Sequence, residues 1–130
     1  MTINKNNYKD EVISATALLL SISNADEIID DNEVSLIQDI IIDFFEVDKC
    51  DCQEIINSSL YKLKKSTDIY EFGKILNNAF TYNDKVDFIC CAFEIAYSDG
   101  YLHFKEEHFI KKISNILNVE HADLIHSKIE

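Results

Sequence analysis

The chain has 130 residues, 47% of them hydrophobic, which is enough to bury a core and too apolar for disorder. It holds no proline and only two glycines, a composition that suits helices and argues against a turn-rich all-β fold. Twelve lysines, no arginine and 24 acidic residues give a net charge of −12, which excludes nucleic-acid binding as a main function and favours cations or a basic protein as partners.

The N-terminal stretch from Met1 to Asn7 has neither the apolar run nor the small-residue cleavage site of a signal peptide. The apolar runs Ala15–Leu20 and Phe88–Phe93 fall far short of the ~20 residues a membrane helix needs. A soluble, cytoplasmic protein is expected, with residues 1–130 forming a single helical domain.

In chain order the periodicity predicts about seven helices. The first covers Tyr8 to Ser23, and its middle is apolar all round except at Thr16, as expected of a buried central helix. A second runs from Asp31 to Glu46, where Ile37, Ile40, Ile41 and Phe44 form an amphipathic stripe. The third, Cys52 to Lys65, aligns Ile56, Leu60 and Leu63. The fourth, Ile69 to Thr81, aligns Ile69, Phe72, Leu76, Ala79 and Phe80. Its Gly73 costs ~1 kcal/mol against alanine in a helix, so a close helix crossing is expected there.

The fifth, Asp84 to Ser98, is again apolar nearly all round, with Glu94 as the exception. A sixth spans Phe104 to Leu117 on Phe109, Ile113, Ile116 and Leu117. A short seventh, His121 to Ile129, carries Ala122, Ile125 and Ile129. Connections are short, so successive helices should pack as neighbours.

Cys50-x-Cys52 and Cys90-Cys91 lack the C-x-x-C pairs of a zinc ribbon or redox site. Cys90 and Cys91 sit in an apolar run and read as small core residues. The histidine pairs His103/His108 and His121/His126 are spaced to different helix faces.

Two acidic loops stand out. Asp26 and Glu33 are seven residues apart, and so are Asp99 and Glu106. The two copies are separated by 73 residues, since 99 − 26 and 106 − 33 are both 73. The same offset superposes Ile22 on Ile95, Ile37 on Ile110 and Ile40 on Ile113. Each unit, at about 8–46 and 82–118, reads as a buried helix, an acidic loop and an amphipathic helix. The expectation is an internal duplication with two pseudo-symmetric halves.

Several of these carboxylates have a structural explanation. Asp30-x-x-Glu33 has the form of a capping box, as do Asp51-x-x-Glu54 and Asp68-x-x-Glu71. Glu106 would complement the dipole in the first turn of the sixth helix. Asp26 and Asp99 follow a helix C-terminus, where a negative charge meets the dipole unfavourably, so they carry more of the functional case. Two readings of them stand side by side: an Asx-turn, or a cation held by Asp and Glu oxygens of one or both loops. An EF-hand does not fit. Ile28 and Tyr101 occupy the loop's third position, where a ligand is required, and Gly100 comes second.

The pattern Asp99-Gly100-x-Leu102-x-x-x-Glu106 after an apolar helix, followed by Phe109-Ile110 and Ile113, resembles the TerB-like (tellurite-resistance TerB) family. The first loop resembles it too, with Glu27 in place of the glycine. The resemblance covers roughly residues 10 to 129. It implies a compact all-α fold, metal binding through acidic loop residues, and a place in assemblies linked to stress or tellurite resistance. Carried over, the candidate metal ligands are Asp26, Glu33, Asp99 and Glu106, with Asp30 beside them. Ca²⁺ or Mg²⁺ is expected first and Zn²⁺ after them, because the donors are all oxygens.

The leading expectation is therefore a non-enzymatic, metal-binding interaction module. Its partner would be a protein, either basic or part of a membrane-associated complex. The alternative is an acidic, immunity-type protein that binds a basic partner without metal. An enzyme is the third reading, with a loop carboxylate pair beside Tyr101 or His103. No phosphate-binding glycine loop, nucleophile elbow or cofactor motif supports it.

Overall fold

The computed structural model describes residues 10–23, 31–65, 69–98 and 104–129. Seven α-helices account for nearly all of them: α1 (Asp10–Ser23), α2 (Asp31–Phe45), α3 (Cys52–Lys65), α4 (Tyr70–Ala79), α5 (Tyr82–Ala96), α6 (Phe104–Ile116) and α7 (His121–Ile129). A 3-10 turn, Lys49–Asp51, leads into α3. No strand occurs among the described residues. The fold is all-α, as the periodicity predicts.

α1 is the central helix. It packs against α2, α3, α4, α5 and α6, and its Ala15, Ala17, Leu18 and Leu19 have no exposed surface. Thr16 is equally buried, but its Oγ1 donates to the Val12 carbonyl at 2.8 Å, so its polar group is satisfied within the helix. α5 is the second core helix, in contact with α1, α2, α6 and α7. These are the two segments whose sequence is apolar on almost every face.

α3 buries Ile56 as expected, but the centre of its buried face is shifted from the one expected. Its deepest residues are Cys52, Ile55, Ile56 and Ser59, whereas Leu60 and Leu63 lie at the edge of the core. Ser59 can be buried because its hydroxyl reaches two carbonyls, Ile55 at 2.8 Å within the helix and Ile13 of α1 at 3.3 Å. α7 is also rotated. Leu124 is its buried anchor, while Ala122 and Ile125 face solvent.

The helix ends follow local chemistry. α5 starts at Tyr82 rather than Asp84, because Thr81 is its N-cap. The Thr81 hydroxyl accepts from the Asp84 amide and the Asp84 carboxylate accepts from the Thr81 amide, both at 3.1 Å. This capping box uses Asp in place of the usual Glu or Gln. α4 is capped at Ile69, which offers no side-chain acceptor, and Asp68 of the expected capping box lies outside the described residues. α6 ends in a Schellman motif. Asn118 takes φ 61°, the Val119 amide bonds to the Ser114 carbonyl at 2.9 Å, and the Asn118 amide bonds to Asn115 at 3.2 Å.

Gly73 sits where α4 crosses α6. A methyl group on it would overlap Ile116 Cγ2, so the expected close crossing is present. Phe44, Phe45, Phe80 and Phe88 form an aromatic cluster that ties the end of α2 to the C-cap of α4 and the middle of α5, with contacting ring centroids 5.0–6.2 Å apart. Among the described residues no helix is long and apolar enough to cross a membrane.

Candidate functional site

The acidic loops are bounded by helices that pack alike. α2 and α6, which follow the loops, each contact both α1 and α5, the helices that precede them. The 73-residue offset carries the last residue of α1, Ser23, onto the last of α5, Ala96, and the first of α2, Asp31, onto the first of α6, Phe104. Ile22 and Ile95 are both fully buried, and so are Ile37 and Ile110.

Of the five candidate ligands, Asp26, Asp30 and Asp99 lie outside the described residues. Glu33 and Glu106 are described. Each is the third residue of its helix, and each is buried, 8% and 4% exposed. They are the only buried carboxylates among the described residues. Other first-turn acids, such as Asp10, Glu54, Glu71 and Asp84, are exposed or half-exposed. One oxygen of each buried carboxylate, Oε2 of Glu33 and Oε1 of Glu106, has almost no contact with solvent.

The helical register explains why. Glu33 lies four residues before Ile37 and Glu106 four before Ile110, so each glutamate stands on the core-facing stripe of its helix. A carboxylate there costs desolvation energy, and the free amides and positive dipole end of the first helical turn act against that cost. Two such positions, related by the loop spacing, mark the helix starts as unusual.

The remaining functional side chains lie elsewhere. Cys50 is exposed and Cys52 buried, so the Cys50-x-Cys52 pair is split. The Cys52 thiol reaches the Asp48 carbonyl at 3.7 Å, and burial raises its pKa, with Asp51 adding to the effect. At the surface of the same turn, ligand atoms of Asp48, Cys50 and Asp51 come within 4.8 Å of one another. Reading the cysteines by Cys/His spacing missed this grouping, because two of its three members are aspartates. His108 and His121 are exposed, and His103 lies outside the described residues.

Cys90 and Cys91 do not sit in the core as expected. They are half-buried and line a groove between α2 and α5. Two adjoining cavities of about 410 and 270 Å³ form the groove and share Asp43, Phe44, Cys91 and Glu94. The Cys91 thiol is pushed up to about 12 by burial first, and then by the negative charges of Glu94, Asp87 and Asp43.

Residues 12–129 match the family model described as tellurite resistance protein TerB, which covers every helix from α1 to α7. The chain belongs to the TerB family. No curated protein and no solved structure matches it. For a TerB-family chain, the two helix starts bearing Glu33 and Glu106 are the candidate centre, and the α2–α5 groove is a second, separate feature.

Proposed function

We propose that this TerB-family chain is a non-enzymatic helical module that binds a divalent cation through its two acidic loops and works in a tellurite-resistance or stress-linked assembly. The observation that carries the reading is the pair of buried glutamates, Glu33 and Glu106, spaced as the loops are spaced. Of the described carboxylates, only these two are held away from water, and both stand at the start of a helix that follows an acidic loop.

The donor set fits a hard cation. Glu33 and Glu106 would supply carboxylate oxygens from the helix starts, and Asp26, Asp30 and Asp99 would supply the loop oxygens. An all-oxygen set favours Ca²⁺ or Mg²⁺ over Zn²⁺. The bound ion would supply positive charge where the fold buries negative charge, and would tie each loop to the helix it precedes. The coincidence of helix ends under the 73-residue offset supports an internal duplication, one binding half per unit.

The test is a thermal melt with and without Ca²⁺, Mg²⁺ or Zn²⁺, repeated on Asp26→Asn/Asp99→Asn. A ligand at about 100 times its dissociation constant stabilises the folded state by ~2.7 kcal/mol, which is several degrees of Tm for a chain of this size. The wild type should show that shift, and the double variant should lose most of it. A wild-type melt indifferent to all three ions sinks the proposal.

A further inference from the structure

We propose that the groove between α2 and α5 is a docking site for a lysine- or arginine-rich amphipathic helix of a protein partner. Its floor is apolar, formed by Leu36, Ile40 and Phe44 from α2 and the Cys90–Cys91 pair from α5. Its rims are acidic on both sides, with Asp39 and Asp43 on α2 facing Asp87 and Glu94 on α5. A surface with an apolar centre and charged edges is the usual layout of a helix-binding groove.

Among the described residues no cation neutralises the rims. No lysine lines either cavity, and α2 contains no basic residue at all. The one lysine of α5, Lys85, is turned to Asn77 of α4. Among the described residues none of the four rim carboxylates is ion-paired, and the lysine–carboxylate pairs Lys62–Asp10 and Lys111–Glu107 lie on other helices. Burial is the first cause of the raised Cys91 thiol, and the nearby charges of Glu94, Asp87 and Asp43 add to it. Charge complementarity therefore calls for a cationic occupant.

The spacing calls for a helical one. The rim carboxylates recur at whole turns, Asp39 to Asp43 one turn apart on α2 and Asp87 to Glu94 two turns apart on α5. Lining residues span nine positions of α2 and eleven of α5, or roughly 12 and 15 Å of helix axis. A partner helix of about three turns fills that length, with cations on both flanks at the same period and apolar side chains between them.

The proposal does not depend on the metal, so its test is run in EDTA, where failure of the metal reading has no effect. A synthetic amphipathic peptide with leucines on one stripe and lysines on both flanks is titrated by fluorescence anisotropy, beside a scrambled peptide of the same composition and beside spermine. The ordered peptide should bind more tightly than either control and weaken as salt rises. Asp43→Lys/Asp87→Lys should weaken it by about tenfold or more, since attraction is replaced by repulsion at two rim positions. Glu71→Lys/Glu120→Lys, which changes net charge equally at exposed sites on other elements, should leave binding within about twofold. Absence of peptide binding would overturn the proposal. Equal loss in both variants would also overturn it, as would equal binding of the scrambled peptide or of spermine.

Discussion

Gly73 is where two opposing effects of one methyl group can be weighed. In an isolated helix Gly73→Ala would gain ~1 kcal/mol of propensity. Here the added Cβ overlaps Ile116 Cγ2 and lies 3.2 Å from Ile116 Cβ, atoms too near the backbone of α6 to swing aside. Overpacking of this kind costs ~1–3 kcal/mol. Gly73→Ala is therefore expected to lower Tm in a thermal melt, the reverse of the usual outcome for an exposed helical glycine. Cys91 supports a second expectation at this scale. Its thiol titrates at about 12 instead of the ordinary 9.0, so at pH 8 almost none is thiolate. Exposed Cys50 should take up iodoacetamide from the native protein while Cys91 stays unmodified until the chain is unfolded, as peptide mass mapping would show. The sign for stability follows. Between pH 9 and about 12 the folded state keeps a proton that the unfolded state has lost, so this group's contribution is intact below 9 and falls away as pH rises through that window.

At the scale of elements, α7 is held partly by a single tyrosine. The Tyr82 hydroxyl, at the start of α5, donates to the Asp123 carboxylate and accepts from the Glu120 amide at 3.0 Å. It serves both the first turn of α7 and the chain just before it. Removing it in Tyr82→Phe should speed hydrogen exchange across α7 and leave α1 and α5 protected, because the hydroxyl's two bonds to the start of α7 are lost. Helices were the most legible part of the sequence. Apolar periodicity located all seven, and the all-round apolar segments Ala15–Leu20 and Phe88–Phe93 became the two core helices. Less legible were features that depend on which helix lies beside which. Asp39, Asp43 and Asp87 carry no mark in the sequence and Glu94 stands out only as the exception in an apolar helix, and the placement of α2 beside α5 turns them into two rims of one groove. Ser59 was hidden for a related reason, since the Ile13 carbonyl that helps satisfy it lies 46 residues away. Glu33 and Glu106 stand out by loop spacing and by the family resemblance, and the sign of their burial is the register that sets them four residues before Ile37 and Ile110 on the apolar stripe.

For the whole molecule, the fold places its acidity unevenly. Two carboxylates are taken into the protein at corresponding helix starts, while others edge a groove that no lysine lines. The first arrangement supports a cation site and the second a basic partner, and both accord with a net charge of −12. Calorimetric titration of Ca²⁺ and Mg²⁺ into the wild type and into Glu33→Gln/Glu106→Gln, an exchange that keeps side-chain shape and removes charge, tests the central claim most directly. Saturable binding in the wild type, weakened at least about tenfold in the folded double variant, is the predicted result. Identical isotherms for the two proteins, or no binding by the wild type, would contradict it.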